Sequence, residues 1–177
     1  MNTLASMNEF HDYFKYNPET GDIIWIKKSS RGTVVGSVAG TLHHDGYIQI
    51  RFKGKLYGAH RLAWFLYYGQ WIDLVDHENG IGSDNRITNL RAATKRQNAQ
   101  NSRSKSKHKG VTWAATSQKW RARIVVDGKE HHLGVFESPD DAHAAYVTAA
   151  KLYFGEFAND GVVRGCGNDD LQQRKCL

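Results

Sequence analysis

Apolar positions in this chain recur in short bursts, and the spacing within each burst assigns an element. Residues 8–16 read as a short helix. Asn17-Pro18-Glu19-Thr20-Gly21 is a turn into a strand at Ile23 to Ile26. Ser29 to Gly40 is rich in Gly and Ser, with Val34-Val35 read as a brief strand. Tyr47 to Phe52 alternates, setting Ile48, Ile50 and Phe52 against Tyr47, Gln49 and Arg51. Lys53-Gly54 then turns this strand into Lys55 to Gly58. His60 to Tyr68 spaces Leu62, Phe65 and Leu66 as one helical face, and Gly69 ends it.

The pattern then changes. Leu74-Val75 and Ile87 to Ala93 are two apolar pieces separated by a loop of Gly, Asn and Asp, which predicts strand, loop, strand. Thr94 is placed to cap a short polar helix over Lys95 to Asn101. Asp76-His77 ends the first strand and Asn98 lies on the helix. A helix folded back over the hairpin would bring the three together. A carboxylate and an amide oxygen are hard ligands suited to Mg²⁺ or Mn²⁺, and a neutral imidazole beside them can deprotonate a water.

Beyond a Ser-, Lys- and Arg-rich linker at 102–109, the alternation returns. Gly110 to Trp113, Lys119 to Val126 and Lys129 to Leu133 read as three strands, the last two joined by Asp127-Gly128. Ser138-Pro139-Asp140-Asp141 opens a helix that Gly155 ends. Its predicted inner stripe is Ala142, Ala145, Tyr146, Ala149 and Tyr153. On the middle strand, Trp120, Ala122, Ile124 and Val126 would meet that helix, while Lys119, Arg121, Arg123 and Val125 take the other face. The remaining tail lacks periodicity. The reading is an α+β chain: residues 1–101 with a β-rich N-terminal extension, linker 102–109, a small domain 110–158 and a loose tail 159–177.

Charge changes the picture more than composition does. The chain carries a net charge of +6, and Asn85 to Val126 holds eleven lysines and arginines without one acid. A solvated face mixes signs, so this run points to a polyanion. The two cysteines, Cys166 and Cys176, form no metal-ligand spacing, so no structural zinc is expected. No run is long and apolar enough to span a bilayer, and a cytosolic setting without membrane contact is the default. His43, His44 and His60 have the chemistry of ligands or bases, but read first as ordinary polar or core histidines. Arg51, Lys53 and Lys55 suit a phosphate contact and a solvated hairpin tip equally.

Two resemblances sharpen this. Asp76-His77, Asn79-Gly80, Asp84-Asn85-Arg86, Asn89-Leu90-Arg91 and Gln97-Asn98 together resemble the HNH nuclease motif in its ββα-metal form, of the phage and intron homing kind. The preceding Gly58-Ala59-His60-Arg61-Leu62-Ala63-Trp64 is similar to the helix that leads into that motif, and is expected to pack under the site. The resemblance implies that Asp76 and Asn98 bind one catalytic Mg²⁺ or Mn²⁺ and that His77 is the general base. It implies that Asn89 braces the loop and orients the site, and that the products are a 5′ phosphate and a 3′ hydroxyl. One site per chain implies nicking by a monomer, with a double-strand break needing a homodimer or two visits.

The second half resembles the plant APETALA-type or ethylene-response-factor DNA-binding domain, which also occurs in phage HNH nucleases. The likeness lies in Lys109-Gly110-Val111, Trp120 to Ile124, Leu133 to Phe136, Asp141 to Tyr146 and Ala149-Ala150. It implies a three-stranded sheet on one helix that reads the major groove of double-stranded DNA. Lys109, Thr112, Arg121, Arg123 and His132 would then face DNA, with Arg91 and Arg96 as further contacts. Thr112 and His132 stand where plant members usually carry Arg and Trp, so no plant target preference follows. A phage-encoded DNA endonuclease acting in its host cell is the expectation. A DNA-binding regulator with a relic HNH unit is the alternative. An RNA-binding module has less support, because the sheet aromatics face the helix.

Overall fold

The structure, a computed structural model, describes residues 4–101 and 108–161, with side chains from Glu9 onward. Most of the predicted linker and tail, including both cysteines, lies outside them. The chain divides into two compact units, one ending at Thr94 and one beginning at Lys95. The nuclease-motif helix thus groups with the second unit.

In the first unit, α1 (Leu4–Tyr13) runs into β1 (Phe14–Tyr16), which pairs antiparallel with β2 (Ile23–Trp25). The sequence reading carried this helix to residue 16. The chain instead leaves the helix at Phe14 because Phe14 lies opposite Trp25 and is buried against it, rings 4.3 Å apart. Val34-Val35 is not a strand: both valines are exposed at a turn, and Ser37 to Ala39 contacts the β2 edge instead. β3 (Thr41–Leu42), β4 (Ile48–Phe52) and β5 (Lys55–Gly58) form a second antiparallel sheet. Lys53 and Gly54 both have positive φ, as a two-residue hairpin turn requires. Ile50 and Phe52 point inward from β4 and α2 (Ala59–Tyr68) buries Leu62 and Phe65 against them. Phe10 lies at the centre of this core, its ring 5.2–5.7 Å from those of Phe52, Tyr57, Phe65 and Trp71. Burial of such aromatic and aliphatic side chains is worth about 1.5–3 kcal/mol each and supplies the scaffold.

β6 (Val75–His77) and β7 (Leu90–Ala92) make a two-stranded ladder in the register Val75–Ala92, Asp76–Arg91, His77–Leu90. The second strand is shorter than its apolar pattern predicted. Ile87 to Asn89 coil into a single 3-10 turn, with the Asn89 N–H donating to the Arg86 carbonyl, before the chain extends.

In the second unit α3 (Lys95–Asn101) precedes β8 (Val111–Ala114), β9 (Lys119–Val126) and β10 (Lys129–Phe136). These three strands form one antiparallel sheet in the order β10-β9-β8. β10 outruns its predicted end at Leu133 because a register shift between His132 and Gly134 lets it continue to Phe136. α4 (Pro139–Phe154) packs on the sheet, started by the Ser138 hydroxyl, which accepts from the Asp141 N–H at 3.1 Å. Ala142, Tyr146, Ala149 and Ala150 are its buried residues, with Ile124 of β9 in the same cluster. Tyr153 is exposed and Ala150 takes its place inside. Spacing alone does not separate the two, since Tyr153 lies seven residues after Tyr146 on the same stripe; its ring lies 5.6 Å from that of His131 on β10 and stays partly in solvent.

Candidate active site

The first-unit motif is built by polar residues that satisfy one another. Asn89 is the brace of the loop: its Nδ2 donates to the Asp84 carbonyl at 2.7 Å, and its Oδ1 accepts from the Asn79 N–H at 3.0 Å. Asn79 in turn accepts from the Ile81 N–H at 2.8 Å and donates to Asp84 Oδ2 at 2.8 Å. Arg86 closes the set with both Nε and Nη2 on the Asp84 carboxylate, at 2.8 and 2.6 Å. Burial pushes the Asp84 carboxyl up, but the Arg86 hydrogen bonds and charge, with the Asn79 amide, outweigh it and hold Asp84 below its ordinary value. A loop with this many internal partners has a defined shape rather than a solvated one.

That loop carries Asn85 to His77. Asn85 is buried, and its Oδ1 lies 3.1 Å from His77 Nε2. With the amide oxygen accepting, Nε2 carries the proton and the basic lone pair sits on Nδ1. The N-terminal hairpin supports Asn85 from behind. The Tyr16 hydroxyl donates to the Asn85 carbonyl at 2.7 Å, and the Ile87 N–H donates to the Pro18 carbonyl at 3.0 Å. Burial, then the nearby Tyr67 and Asp84, raise the Tyr16 phenol, so it remains the donor. Gly21 has a φ of 79°, and a Cβ there would stand 2.6 Å from Arg86 N, so the turn and the loop meet backbone to backbone.

The other face of His77 meets aromatic rings. His60 lies 5.2 Å from it and Tyr47 5.6 Å, centroid to centroid, with Tyr47 and His60 5.5 Å apart. Burial, then the proximity of His77 and Arg61, depresses the His60 imidazole to about 3, so it stays neutral. Asp76, one residue away on the opposite side of β6, is 5% exposed and His77 3% exposed. Arg91, directly across the ladder, donates from Nε to Asp76 Oδ2 at 2.9 Å, and its Nη2 lies 2.8 Å from the same oxygen.

Asp76, His77 and Asn89 all belong to the first unit, the first two on β6 and the third on the turn before β7, while Asn98 is carried on α3 of the second. The basic residues expected on DNA divide. Arg91 is engaged with Asp76, Arg96 pairs with Asp127, and Lys109 donates to the Gln100 carbonyl at 3.0 Å. Burial lowers the Lys109 ammonium. Thr112, Arg121, Arg123 and His132 do share the sheet face turned from α4, linked by the Thr112–Arg121 and Arg123–His132 pairings. Acids from beyond the basic run reach this face too: Arg123 pairs with Glu130 and Lys119 with Glu137. Sequence reasoning assigned no role to Asn85, Tyr16, Gly21 or Tyr47. The one available signal was Asn85 within the Asp84-Asn85-Arg86 triplet.

Residues 57–100 match the family model described as HNH endonuclease. Over 88 residues the chain is 33% identical to an uncharacterised HNH endonuclease, L560, of Acanthamoeba polyphaga mimivirus, covering 50% of this chain and 45% of that one. Over 102 residues it is 29% identical to the AP2-like ethylene-responsive transcription factor TOE2 of Arabidopsis thaliana, covering 57% of this chain and 21% of that protein. The chain thus spans less than half the length of either relative. A solved structure of DNA binding and cleavage by the HNH homing endonuclease I-HmuI aligns at a TM-score of 0.42 and 23% identity, over 84% of this chain and 88% of that one. The chain carries an HNH endonuclease domain.

Proposed function

We propose that the protein is a metal-dependent endonuclease, of the homing type, that hydrolyses phosphodiester bonds in double-stranded DNA. The observation that carries this reading is the buried Asp76-His77 pair, with His77 fixed by Asn85, inside the stretch that matches the HNH endonuclease model.

Asp76 supplies a carboxylate oxygen and, by motif position within the same match, Asn98 an amide oxygen. Among the described residues no group of three or more His, Cys, Asp or Glu side chains could hold an ion. Two hard oxygens fit Mg²⁺ or Mn²⁺, which are commonly held by one or two protein ligands completed by waters and substrate phosphate. When bound, the ion supplies Lewis-acid stabilisation of the scissile phosphate and of the leaving 3′ oxygen. His77 takes a proton from the attacking water on Nδ1, because Asn85 engages Nε2. Asn89 keeps the loop, and through it Asn85, in place.

The second unit has the three-stranded sheet on one helix that an AP2-like reading requires, and in our reading its Thr112, Arg121, Arg123 and His132 face enters the major groove. Arg91, Arg96 and Lys109 have protein partners in the free chain and would contact DNA only by exchanging them. A monomer nicks. A second reading, a DNA-binding regulator without cleavage, draws on the identity to an AP2-like transcription factor.

Supercoiled plasmid incubated with Mg²⁺, Mn²⁺ or EDTA separates the two. The nuclease converts it to open circles with either metal, and EDTA or His77→Ala stops the conversion. Unchanged plasmid under every metal, with DNA binding retained in a gel shift, overturns the nuclease and leaves the regulator.

A further inference from the structure

Asp76 is the carboxylate on which the nuclease reading places its ion, and the chain already supplies that carboxylate with a cation. Asp76 and Arg91 are register partners in the β6–β7 ladder, so their side chains leave the same face of the hairpin. Two of the Arg91 nitrogens, Nε at 2.9 Å and Nη2 at 2.8 Å, converge on Oδ2. The pair is sheltered, with side-chain exposures of 15% for Arg91 and 6% for Asp76. A carboxylate this deep needs a partner that replaces its lost water contacts, and Arg91 provides one. A divalent ion held by Asp76 would be a second positive charge on a carboxylate that a guanidinium already engages.

We propose that Arg91 is a built-in competitor of the metal. It holds Asp76 aimed while no ion is bound, and weakens divalent binding by its own claim on Oδ2. This rests on the nuclease reading only in placing the ion at Asp76. The competition makes the site depend on extra anionic ligands, which a DNA phosphate supplies, and so favours metal retention when substrate is present. Arg91 is thereby a positioning residue whose partner changes with occupancy. The basic run had marked it as a DNA contact.

The test is Mn²⁺ binding to the full chain without DNA, followed by electron paramagnetic resonance, with the thermal shift caused by Mn²⁺ as a second readout. Arg91→Gln is expected to bind Mn²⁺ at least about tenfold more tightly than the wild type, because one like charge has left the site. Its melting temperature without metal should be lower, and Mn²⁺ should raise it more than it raises the wild type's. Affinity equal to or weaker than the wild type's overturns the competition and makes Arg91 a support for the ion. Should Arg91→Gln fail to fold even with Mn²⁺, Arg91→Met decides. It keeps an unbranched apolar stem without the charge, and tighter binding than wild type supports competition while equal or weaker binding overturns it. Asp76→Asn is the control for the underlying reading. If it binds Mn²⁺ as the wild type does, the ion is not at Asp76 and the nuclease assignment fails independently of Arg91.

Discussion

The Asn79–Arg91 region and the β8–β10 sheet are both rich in polar and basic residues, yet they use them in opposite directions. In the first, polar side chains turn inward: Asn79, Asp84, Arg86 and Asn89 bond to one another, Asn85 to His77, and Arg91 to Asp76. In the second, alanines, Ile124 and Tyr146 make the core, and Thr112, Arg121, Arg123 and His132 line the opposite face. One region spends its hydrogen-bonding capacity on a rigid site, and the other sets its polar side chains on a sheet face turned from its core. A run of basic residues therefore overstates the DNA contacts it encodes. Arg86 is held by Asp84 of its own loop and Arg91 by Asp76 across the β6–β7 ladder, while Arg123 is held by Glu130 of β10 and Lys119 by Glu137 just beyond it.

Breaking the inward-facing region should have the larger effects. His77→Ala removes the base and should slow plasmid nicking by about 10²–10⁴-fold, with circular dichroism and DNA binding unchanged. Asn89→Ala strands the Asn79 N–H and the Asp84 carbonyl together. A loss of roughly 2–4 kcal/mol in urea unfolding is expected, and nicking should fall with it. Gly21→Ala forces a Cβ onto the Asn85-Arg86 backbone at a position of positive φ. It should cost about 2–3 kcal/mol and slow nicking, although Gly21 is remote from the motif in sequence.

The pH dependence of the same cluster sharpens the contrast. Burial holds the folded His60 imidazole down at about 3 and the unfolded one keeps its ordinary value of 6.5, so the unfolded chain binds the extra proton between them. The stability that comes from keeping His60 neutral is fully present above the unfolded value and is lost as pH falls toward the folded one, at up to about 1.4 kcal/mol per unit. Urea midpoints at pH 7.5 and 5.0 should separate more for wild type than for His60→Phe. An equal drop in both would remove His60 from the account. On the outward-facing region the effects are smallest. Arg121→Ala or His132→Ala should leave stability within about 0.5 kcal/mol and weaken DNA binding modestly in a gel shift.

Much of this was legible in the chain. The β4–β5 turn showed in Lys53-Gly54, the start of α4 in Ser138-Pro139, and the inner and outer faces of β9 in strict alternation. These are local signals. Ile87 to Asn89 misled because its apolar spacing suits a strand, while the Asn89 side chain pulls the backbone into a 3-10 turn. Tyr153 was placed inward by its stripe, but its ring lies beside His131 and is exposed. In the site, the Asp76-His77 pair was visible as a dipeptide. Its supports were not, because Tyr16 reaches Asn85 across 69 positions and the pairing of Asp76 with Arg91 depends on register. Contacts made only by tertiary structure leave no spacing to read.

The central claim is that the Asp76-His77 site is a metal-dependent nuclease centre. The most direct measurement is the rate of open-circle formation by Asp76→Asn beside that of wild type at saturating Mn²⁺. The account predicts that the variant binds plasmid as well as the wild type and leaves it supercoiled. Nicking at the wild-type rate by Asp76→Asn would place the chemistry elsewhere and contradict it.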